Sequence, residues 1–443
     1  MISSVLVANR GEIARRIIRT ARRLGIRTIA VYSEADEKLP FVAEADEAVP
    51  LTGTPAQAYR DSAQLLAIAA RTGAEAIHPG YGFLSENAGF ARAVVGAGLV
   101  WVGPPAEAIE RMGDKINARN LVAAAGVPVS PGTETPVSDA DGALAAAEGI
   151  GYPVMVKASA GGGGMGMAVA ADPAALAREY DKVRAFAERM FGDGSVLLER
   201  YYPRVRHVEV QILGLPDGRV VALGERDCSV QRRNQKVAEE TPSPGLDPAL
   251  RARMLAAAVQ AGEAVGYRNA GTVECLLAPD TGEFVFLEMN TRLQVEHPIT
   301  EAVYGIDLVA AQLRIASGEE PELGTLMPSG HAIELRINAE DPRRFLPGPG
   351  VITEWVEPAG EGVRVDAGYG PGTTVTPHYD SLMAKLIVHG PDRETALQRA
   401  RDAVAGFRIV GPKSNLEFFR ELLDTEEFTS GEYDTGIVGR MRG

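Results

Sequence analysis

Residues 5–14 read Val5-Leu6-Val7-Ala8-Asn9-Arg10-Gly11-Glu12-Ile13-Ala14, a short apolar run that turns through Gly11 into a helical pattern. Ile13, Ala14, Ile17, Ile18, Ala21 and Leu24 recur at helical spacing, and Arg15, Arg16, Arg19, Arg22 and Arg23 fill much of the rest. The strand-then-helix unit repeats. Thr28-Ile29-Ala30-Val31-Tyr32 is a second strand, a helix through Leu65-Leu66-Ala67-Ile68 ends at Gly73, Ala76-Ile77 opens a third strand, and Leu99-Val100-Trp101-Val102 closes the series. Such alternation predicts a parallel sheet covered on both faces. The turn after the first strand holds one glycine, where a dinucleotide site of the G-x-G-x-x-G type needs three. The α/β fold class therefore stands without a nicotinamide reading. The arginines are expected to form a solvated helix face.

Outward from this unit the pattern changes twice. A helical connector covers about 106–125. Residues 130–200 read as a small unit: strand Val154-Met155-Val156-Lys157, a glycine run, strand Met167-Ala168-Val169, a helix near 173–190 and strand Val196-Leu197-Leu198-Glu199. From about 205 come long alternating strands and hairpins with a few helices, an α+β signature. The expected class is thus α/β together with α+β.

The length, 443 residues, suggests about three units at roughly 150 residues each, and it carries 45 Lys and Arg against 59 Asp and Glu, a net charge of −14. So acidic a chain is a poor general nucleic-acid binder, because neutralising phosphates needs a basic surface. No apolar run approaches the ~20 residues of a spanning helix, so no membrane role is expected. Two cysteines, Cys228 and Cys275, make neither a disulfide framework nor a four-thiolate zinc site. The N-terminus lacks the features of a signal peptide, and a cytoplasmic location is expected.

Four constellations carry chemistry. Lys157-Ala158-Ser159-Ala160-Gly161-Gly162-Gly163-Gly164-Met165-Gly166-Met167 places free backbone N–H groups between two strands, where they suit an anion as well as a flexible hairpin. Lys157 and Lys115 would add positive charge to phosphates. The second is the hairpin Gly271–Leu277 and Glu283–Asn290. With the turn centred on Thr281, Glu274 sits opposite Glu288, seven residues to either side. Opposed side chains have Cβ atoms about 4.5–5.5 Å apart, so two carboxylates there repel unless compensated. A divalent cation bound together with phosphates would compensate them; two solvated surface carboxylates are the plainer alternative.

The third continues that strand as Asn290-Thr291-Arg292-Leu293-Gln294-Val295-Glu296-His297. Strand alternation would put Glu288, Asn290, Arg292, Gln294 and Glu296 on one side. Arg292 offers a planar fork for a carboxylate or bicarbonate, Gln294 a hydrogen bond, and Glu296 a general base; a solvent-facing strand would look the same. The fourth, Glu225 through Lys236, packs four cations and one carboxylate into residues 226–236 and reads as a charged turn or a phosphate-facing segment. His207 and Cys228, taken alone, read as ordinary packed residues.

Together with His78-Pro79-Gly80-Tyr81-Gly82-Phe83-Leu84-Ser85-Glu86-Asn87 and Arg336-Ile337-Asn338-Ala339-Glu340-Asp341, these motifs resemble biotin carboxylase, of the ATP-grasp superfamily, over essentially the whole chain. The resemblance implies an N-terminal domain at 1–113, an ATP-grasp domain at 114–330 with a lid at about 131–201, and a C-terminal domain at 331–443. It implies ATP at Lys115, Lys157, Gly162, Gly163, Gly164, Met167, Glu199, His207, Gln231, Asn234, Lys236 and Leu276. Mg²⁺, with Mn²⁺ as an alternative, would sit at Glu274, Glu288 and Asn290. Bicarbonate would sit at Arg292, Gln294 and the Val295 backbone. Glu296 would be the base, Arg336 would stabilise the biotin enolate, and Arg292 would act with them.

The implied activity is ATP-dependent carboxylation of biotin through carboxyphosphate, the first half-reaction of an acetyl-CoA or other acyl-CoA carboxylase such as serves fatty acid biosynthesis. Another ATP-grasp ligase, joining a carboxylate to an amine, is the alternative. No Ala-Met-Lys-Met sequence occurs, so biotin is expected on a separate biotin carboxyl carrier protein or on a longer version of this chain. A carboxyltransferase partner and a homodimer are implied as well. Met165, Ala168, Asn234 and Arg200 depart from common family residues, and the loop after Lys157 carries less positive charge than usual.

Overall fold

The computed structural model describes residues 1–159 and 166–443. Strands β1 (Ser4–Val7), β2 (Arg27–Tyr32), β3 (Glu47–Pro50), β4 (Ala76–His78) and β5 (Val100–Trp101) form a parallel sheet in the order β3-β2-β1-β4-β5. The order reverses between β1 and β4, so a crevice opens at their carboxyl ends. Asn9–Glu12 and Pro79–Phe83 stand there. The helix Gly11–Arg23 follows β1 and buries Ile13, Ile17, Ile18 and Ala21.

Arg19, Arg22 and Arg23 are exposed, as expected of a solvated face, but Arg15 and Arg16 are not. Arg16 is buried and pairs with Glu301 at 2.7 Å and Asp307 at 2.8 Å. Arg15 pairs with Glu44 and donates to the Ala367 carbonyl. Through Arg15 and Arg16 the helix meets elements about 290–350 residues later, a contact that helical spacing alone does not reveal.

Strands β6 (Val154–Ala158), β7 (Met167–Ala170) and β8 (Val196–Arg200) make an antiparallel sheet in the order β7-β6-β8. Two helices, Ala140–Ile150 and Pro173–Phe191, cover it over a core of Val154, Val156, Leu176, Tyr180 and Leu198. The second helix starts where Asp172 accepts from the Ala175 N–H and stops at Gly192 in the left-handed conformation. The glycines 161–164 lie outside the described residues.

The largest sheet has eight antiparallel strands: β9 (Arg206–Gly214), β10 (Val220–Arg232), β11 (Gln235–Thr241), β12 (Asn269–Ala278), β13 (Glu283–Asn290), β14 (His331–Asn338), β15 (Val363–Ala367) and β16 (Leu382–Gly390), in the order β13-β12-β9-β10-β11-β14-β16-β15. It runs unbroken through the expected boundary at 330, because β11 pairs with β14. One face is apolar: Val208, Val210 and Ile212 pack with Met254 and Ala258 of the helix Pro248–Ala264. Opposite lie His207, Glu209 and Gln211, all buried.

Two expectations about β13 need correction. Pairing near the turn is Ala278 with Glu283 and Leu276 with Val285, a register centred one half-residue before Thr281. A bulge at Leu287 then adds one residue and brings Glu288 opposite Glu274. The predicted pair forms, but the bulge and not a regular hairpin makes it. The strand also ends at Asn290 instead of running through Glu296. Residues 291–296 are a loop, and Glu296 is the residue before the helix His297–Tyr304. Alternation therefore does not place Arg292, Gln294 and Glu296; the loop does.

Candidate active site

A cleft of about 1130 Å³ lies between the β6–β8 sheet and the polar face of the large sheet. Its floor carries Glu274 and Glu288, two members of a row of side chains across four strands. Glu288 on β13 is opposite Glu274 on β12, Glu274 is opposite Glu209 on β9, and Glu209 is opposite Arg226 on β10. Three carboxylates side by side, Glu209 and Glu274 buried and Glu288 partly so, demand counter-charge. Arg226, with no exposed surface, pairs with Glu209 through Nε at 2.6 Å and also donates to Gln211 and Thr300.

Lys236 supplies the second cation. Its Nζ donates to Glu209, to Glu274 Oε1 at 2.7 Å and to Glu296 Oε1 at 2.7 Å. Burial works against the ammonium, but the three carboxylates outweigh it and hold its pKa well above the usual lysine range. His207 adds a neutral N–H donor. Gln231 Nε2 donates to its Nδ1 at 2.8 Å, so the ring proton sits on Nε2, 3.0 Å from Glu274 Oε2. Burial pushes the Glu274 carboxyl up, yet Lys236 and His207 overcome it and hold the group far below its ordinary value.

Glu288 goes the other way: burial first and the neighbouring Glu274 second raise its carboxyl, with Lys115 opposing. This like-charge pair of oxygen donors fits a hard divalent cation, which would relieve the repulsion. Asn290 stands two residues further along β13, and its Nδ2 has no partner among the described residues.

The loop after β13 folds back over this row. Arg292 donates to Asn290 Oδ1 and Gln294 Oε1, each at 2.9 Å, and to Glu86 at 3.0 Å. Gln294 Nε2 donates to Glu274 Oε1 at 3.1 Å. Glu296 is wholly buried beneath the loop, between Lys236 and Arg336, whose Nη2 lies 2.9 Å from Glu296 Oε2. Burial raises its carboxyl, but Lys236, Arg336 and Arg226 together hold it well below the carboxylate range. It is an ionised base beside cations that an anion can share.

The opposite wall belongs to the small sheet. Lys157 and Glu199 form an ion pair across β6 and β8, and Met167 is paired with Lys157 in register. Lys115 opens the helix Lys115–Ala124, and burial lowers its pKa. Leu276, Val285 and Met155 add apolar surface. Every described residue that the sequence marks for ATP, metal or bicarbonate thus lines one cleft, and Arg336 with them; Glu296 lies just behind its floor. Gly162, Gly163 and Gly164 fall outside the described residues.

The comparisons bear on what such a cleft is for. Residues 1–109 match the family described as "Biotin carboxylase, N-terminal domain". Residues 114–323 match "Carbamoyl-phosphate synthase L chain, ATP binding domain", and residues 334–440 match "Biotin carboxylase C-terminal domain". The biotin carboxylase of Halalkalibacterium halodurans is 49% identical over 442 residues, covering 99% of this chain and 97% of that one.

The chain belongs to the biotin carboxylase family.

The biotin carboxylase of Pseudomonas aeruginosa is 47% identical over 435 residues, covering 97% of this chain and 96% of the relative. The structure of the biotin carboxylase domain dimer of Hydrogenobacter thermophilus 2-oxoglutarate carboxylase, in complex with MgADP, ADP and bicarbonate, superposes with a TM-score of 0.95 at 43% identity, covering 99% of this chain and 98% of that one. As in a biotin carboxylase, the parallel sheet, the ATP-grasp unit and a mixed α/β remainder follow in that order along the chain.

Within this biotin carboxylase chain, one departure from common family residues has a local reason. Arg233 and Asn234 form the two-residue turn between β10 and β11, both with positive φ, +49° and +66°. Asparagine tolerates that conformation better than most residues. Sequence reasoning missed Glu209, Arg226, Glu239 and Lys385, all buried charges around the site. A signal for Glu209 is present: His207, Glu209 and Gln211 alternate with Val208, Val210 and Ile212. Cys228 is a buried residue whose thiol burial and Glu209 push well up, so it is unsuited to nucleophilic work.

Proposed function

We propose that this chain carboxylates biotin at the expense of ATP and bicarbonate, the biotin being presented by a biotin carboxyl carrier protein. The observation that carries this reading is the burial of ionised Glu296 between Lys236 and Arg336, directly behind Arg292, Gln294 and Val295. A base, a cationic fork and a cleft lined with lysines meet at one point.

In this reading Lys115, Lys157, Met167, Glu199, His207, Gln231, Asn234, Lys236 and Leu276, with Gly162 to Gly164, hold ATP. Glu274, Glu288 and Asn290 hold Mg²⁺, which when bound supplies charge neutralisation between nucleotide phosphates and the carboxylate row. Arg292, Gln294 and the Val295 N–H orient bicarbonate. Glu296 accepts its proton, and the freed oxygen attacks the γ-phosphate to give ADP and carboxyphosphate. That species breaks down to CO2 and phosphate, phosphate takes the N1′ proton of biotin, and Arg336 stabilises the enolate while N1′ captures CO2. Positioning and charge neutralisation do the work expected of phosphoryl transfer.

The domain division belongs to the same proposal: 1–113, 114–330 with 131–201 closing as a lid, and 331–443. So do a homodimer, a carboxyltransferase partner that selects the final acceptor, and a cytoplasmic setting. No helix among the described residues is long and apolar enough to cross a membrane. The test is ADP formation with MgATP. The expected result is release that requires bicarbonate and rises with free biotin. ADP formation with an amine acceptor and none with bicarbonate would assign the chain to a carboxylate–amine ligase instead.

A further inference from the structure

Lys385 has no exposed surface, a rare place for an ammonium unless it is paired. It stands on β16 directly opposite Arg336 on β14 and Asp366 on β15. Its Nζ donates to the main-chain carbonyl of Val295 at 2.9 Å and lies 3.1 Å from Glu12 Oε2. Glu12 is in the first turn of the helix Gly11–Arg23, and its other oxygen accepts from the Tyr81 hydroxyl. Asp366 is committed to Arg364, at 2.7 Å. Glu334, two residues before Arg336 and buried, has neither carboxyl oxygen bonded among the described residues, and burial pushes its carboxyl well up. Glu12 is thus the carboxylate that answers Lys385.

The Tyr81 end of this chain of contacts is itself held firmly. Asn9 Nδ2 donates to the carbonyls of Pro79 and Tyr81, at 2.7 Å each. Gly80 has φ +62°, and a Cβ there would lie 2.9 Å from Asn9 Nδ2. The segment Asn9–Glu12, which lacks the glycines of a dinucleotide turn, is occupied with buttressing the loop 79–83. Tyr81 and Gly82 in turn form one wall of the cleft.

We propose that Lys385, anchored by Glu12 and Tyr81, is a positioning residue for carboxylation that sets the peptide unit between Val295 and Glu296. This rests on the assignment of bicarbonate to Val295 and of the base to Glu296. The peptide is planar, so gripping the Val295 carbonyl orients the N–H of Glu296 and limits the swing of its neighbours. No side-chain change at Val295 reproduces that grip. The helix and loop at the carboxyl ends of β1 and β4 supply the anchor of the ammonium.

The test uses the full chain and free biotin, with kcat and KM measured for bicarbonate and for ATP. Lys385→Met is expected to lower kcat/KM for bicarbonate by about 30-fold or more, in the range a displacement of about 1 Å costs, with KM for bicarbonate raised at least about fivefold while KM for ATP stays within about twofold. Glu12→Gln should act in the same direction by about 3- to 10-fold. The double variant should be no worse than Lys385→Met alone, because both remove one device. Loss of folded protein would lower kcat and leave KM for bicarbonate and for ATP alone, and that pattern overturns the proposal. So does a bicarbonate kcat/KM within about twofold of the parent, or an additive double variant. If Lys385→Met does not fold, Glu12→Gln decides alone, and an unchanged bicarbonate kcat/KM there overturns it. A parent chain with no bicarbonate-dependent turnover sinks the functional reading and this inference together; a parent that turns over with unaffected variants sinks only the inference.

Discussion

Glu209 sits directly opposite Glu274 on neighbouring strands, two buried carboxylates in cross-strand contact. Arg226 on Glu209 and His207 on Glu274 help to make such a pair tolerable, and Lys236 bridges the two and reaches on to Glu296.

Replacing Lys236 with Met leaves these carboxylates short of a cation. Removing one partner of a buried ionic cluster costs about 3–5 kcal/mol, and turnover should disappear. Without the ammonium the carboxyls rise above their unfolded values, so their protonated forms favour folding at low pH. The deficit should therefore be large at pH 7 and shrink towards pH 5. Urea unfolding of parent and variant at both pH values measures this; a deficit that is constant with pH would contradict the account.

Glu296→Ala should cut bicarbonate-dependent ADP formation by about 10²- to 10⁴-fold, the usual worth of a positioned base. ATP binding, measured by calorimetry, should stay within about threefold. Normal turnover in this variant would remove Glu296 from the mechanism.

Glu274→Gln and Glu288→Gln test the metal assignment. Each removes one anionic oxygen donor from the opposed pair. Titration of Mg²⁺ at fixed ATP should show the half-maximal concentration rising at least about tenfold for either change. An unchanged Mg²⁺ requirement in both would place the cation elsewhere.

Acid stability should reflect Glu240, which does not line the cleft. It accepts from His331 at 2.6 Å, Arg393 at 2.7 Å and Tyr433 at 2.6 Å. Burial raises its carboxyl, but the bonds from His331 and Arg393 bring it down to about 2. The folded value lies below the unfolded one of about 4.3, so the contribution is present above that pH and fades as the pH falls towards 2. Its size is on the order of 3 kcal/mol. Glu240→Gln should be less stable than the parent at pH 7, with the gap closing below about pH 4 in acid unfolding; equal stability at pH 7 would refute it.

Much of the site is legible in the sequence because its residues sit in runs with unusual chemistry. Glu288, Asn290, Arg292, Gln294 and Glu296 attract notice by spacing alone, even though the strand supporting that spacing ends at Asn290. The Glu274–Glu288 pair follows from symmetry about a turn, but its register depends on the bulge at Leu287, and a single unpaired residue leaves no local mark. Lys385 and Glu12 could not be found this way. Each looks like an ordinary surface charge, and burial arises only when β16 meets the loop before His297.

The sequence by itself determined the alternation that builds the parallel sheet, the hairpin that carries Glu274 and Glu288, and the resemblance carried by its motifs. These rest on interactions within one or two turns or across one hairpin, where spacing along the chain is spacing in the molecule. Only the tertiary structure decided which charges are buried together. Glu288, Glu274, Glu209 and Arg226 come from four strands, Lys236 reaches them from a fifth, and Arg336 on a sixth meets Glu296 beside Lys236. In a low-dielectric interior the energy of each group depends on all the others, so the properties of the site belong to the assembled row and not to any segment that contributes to it.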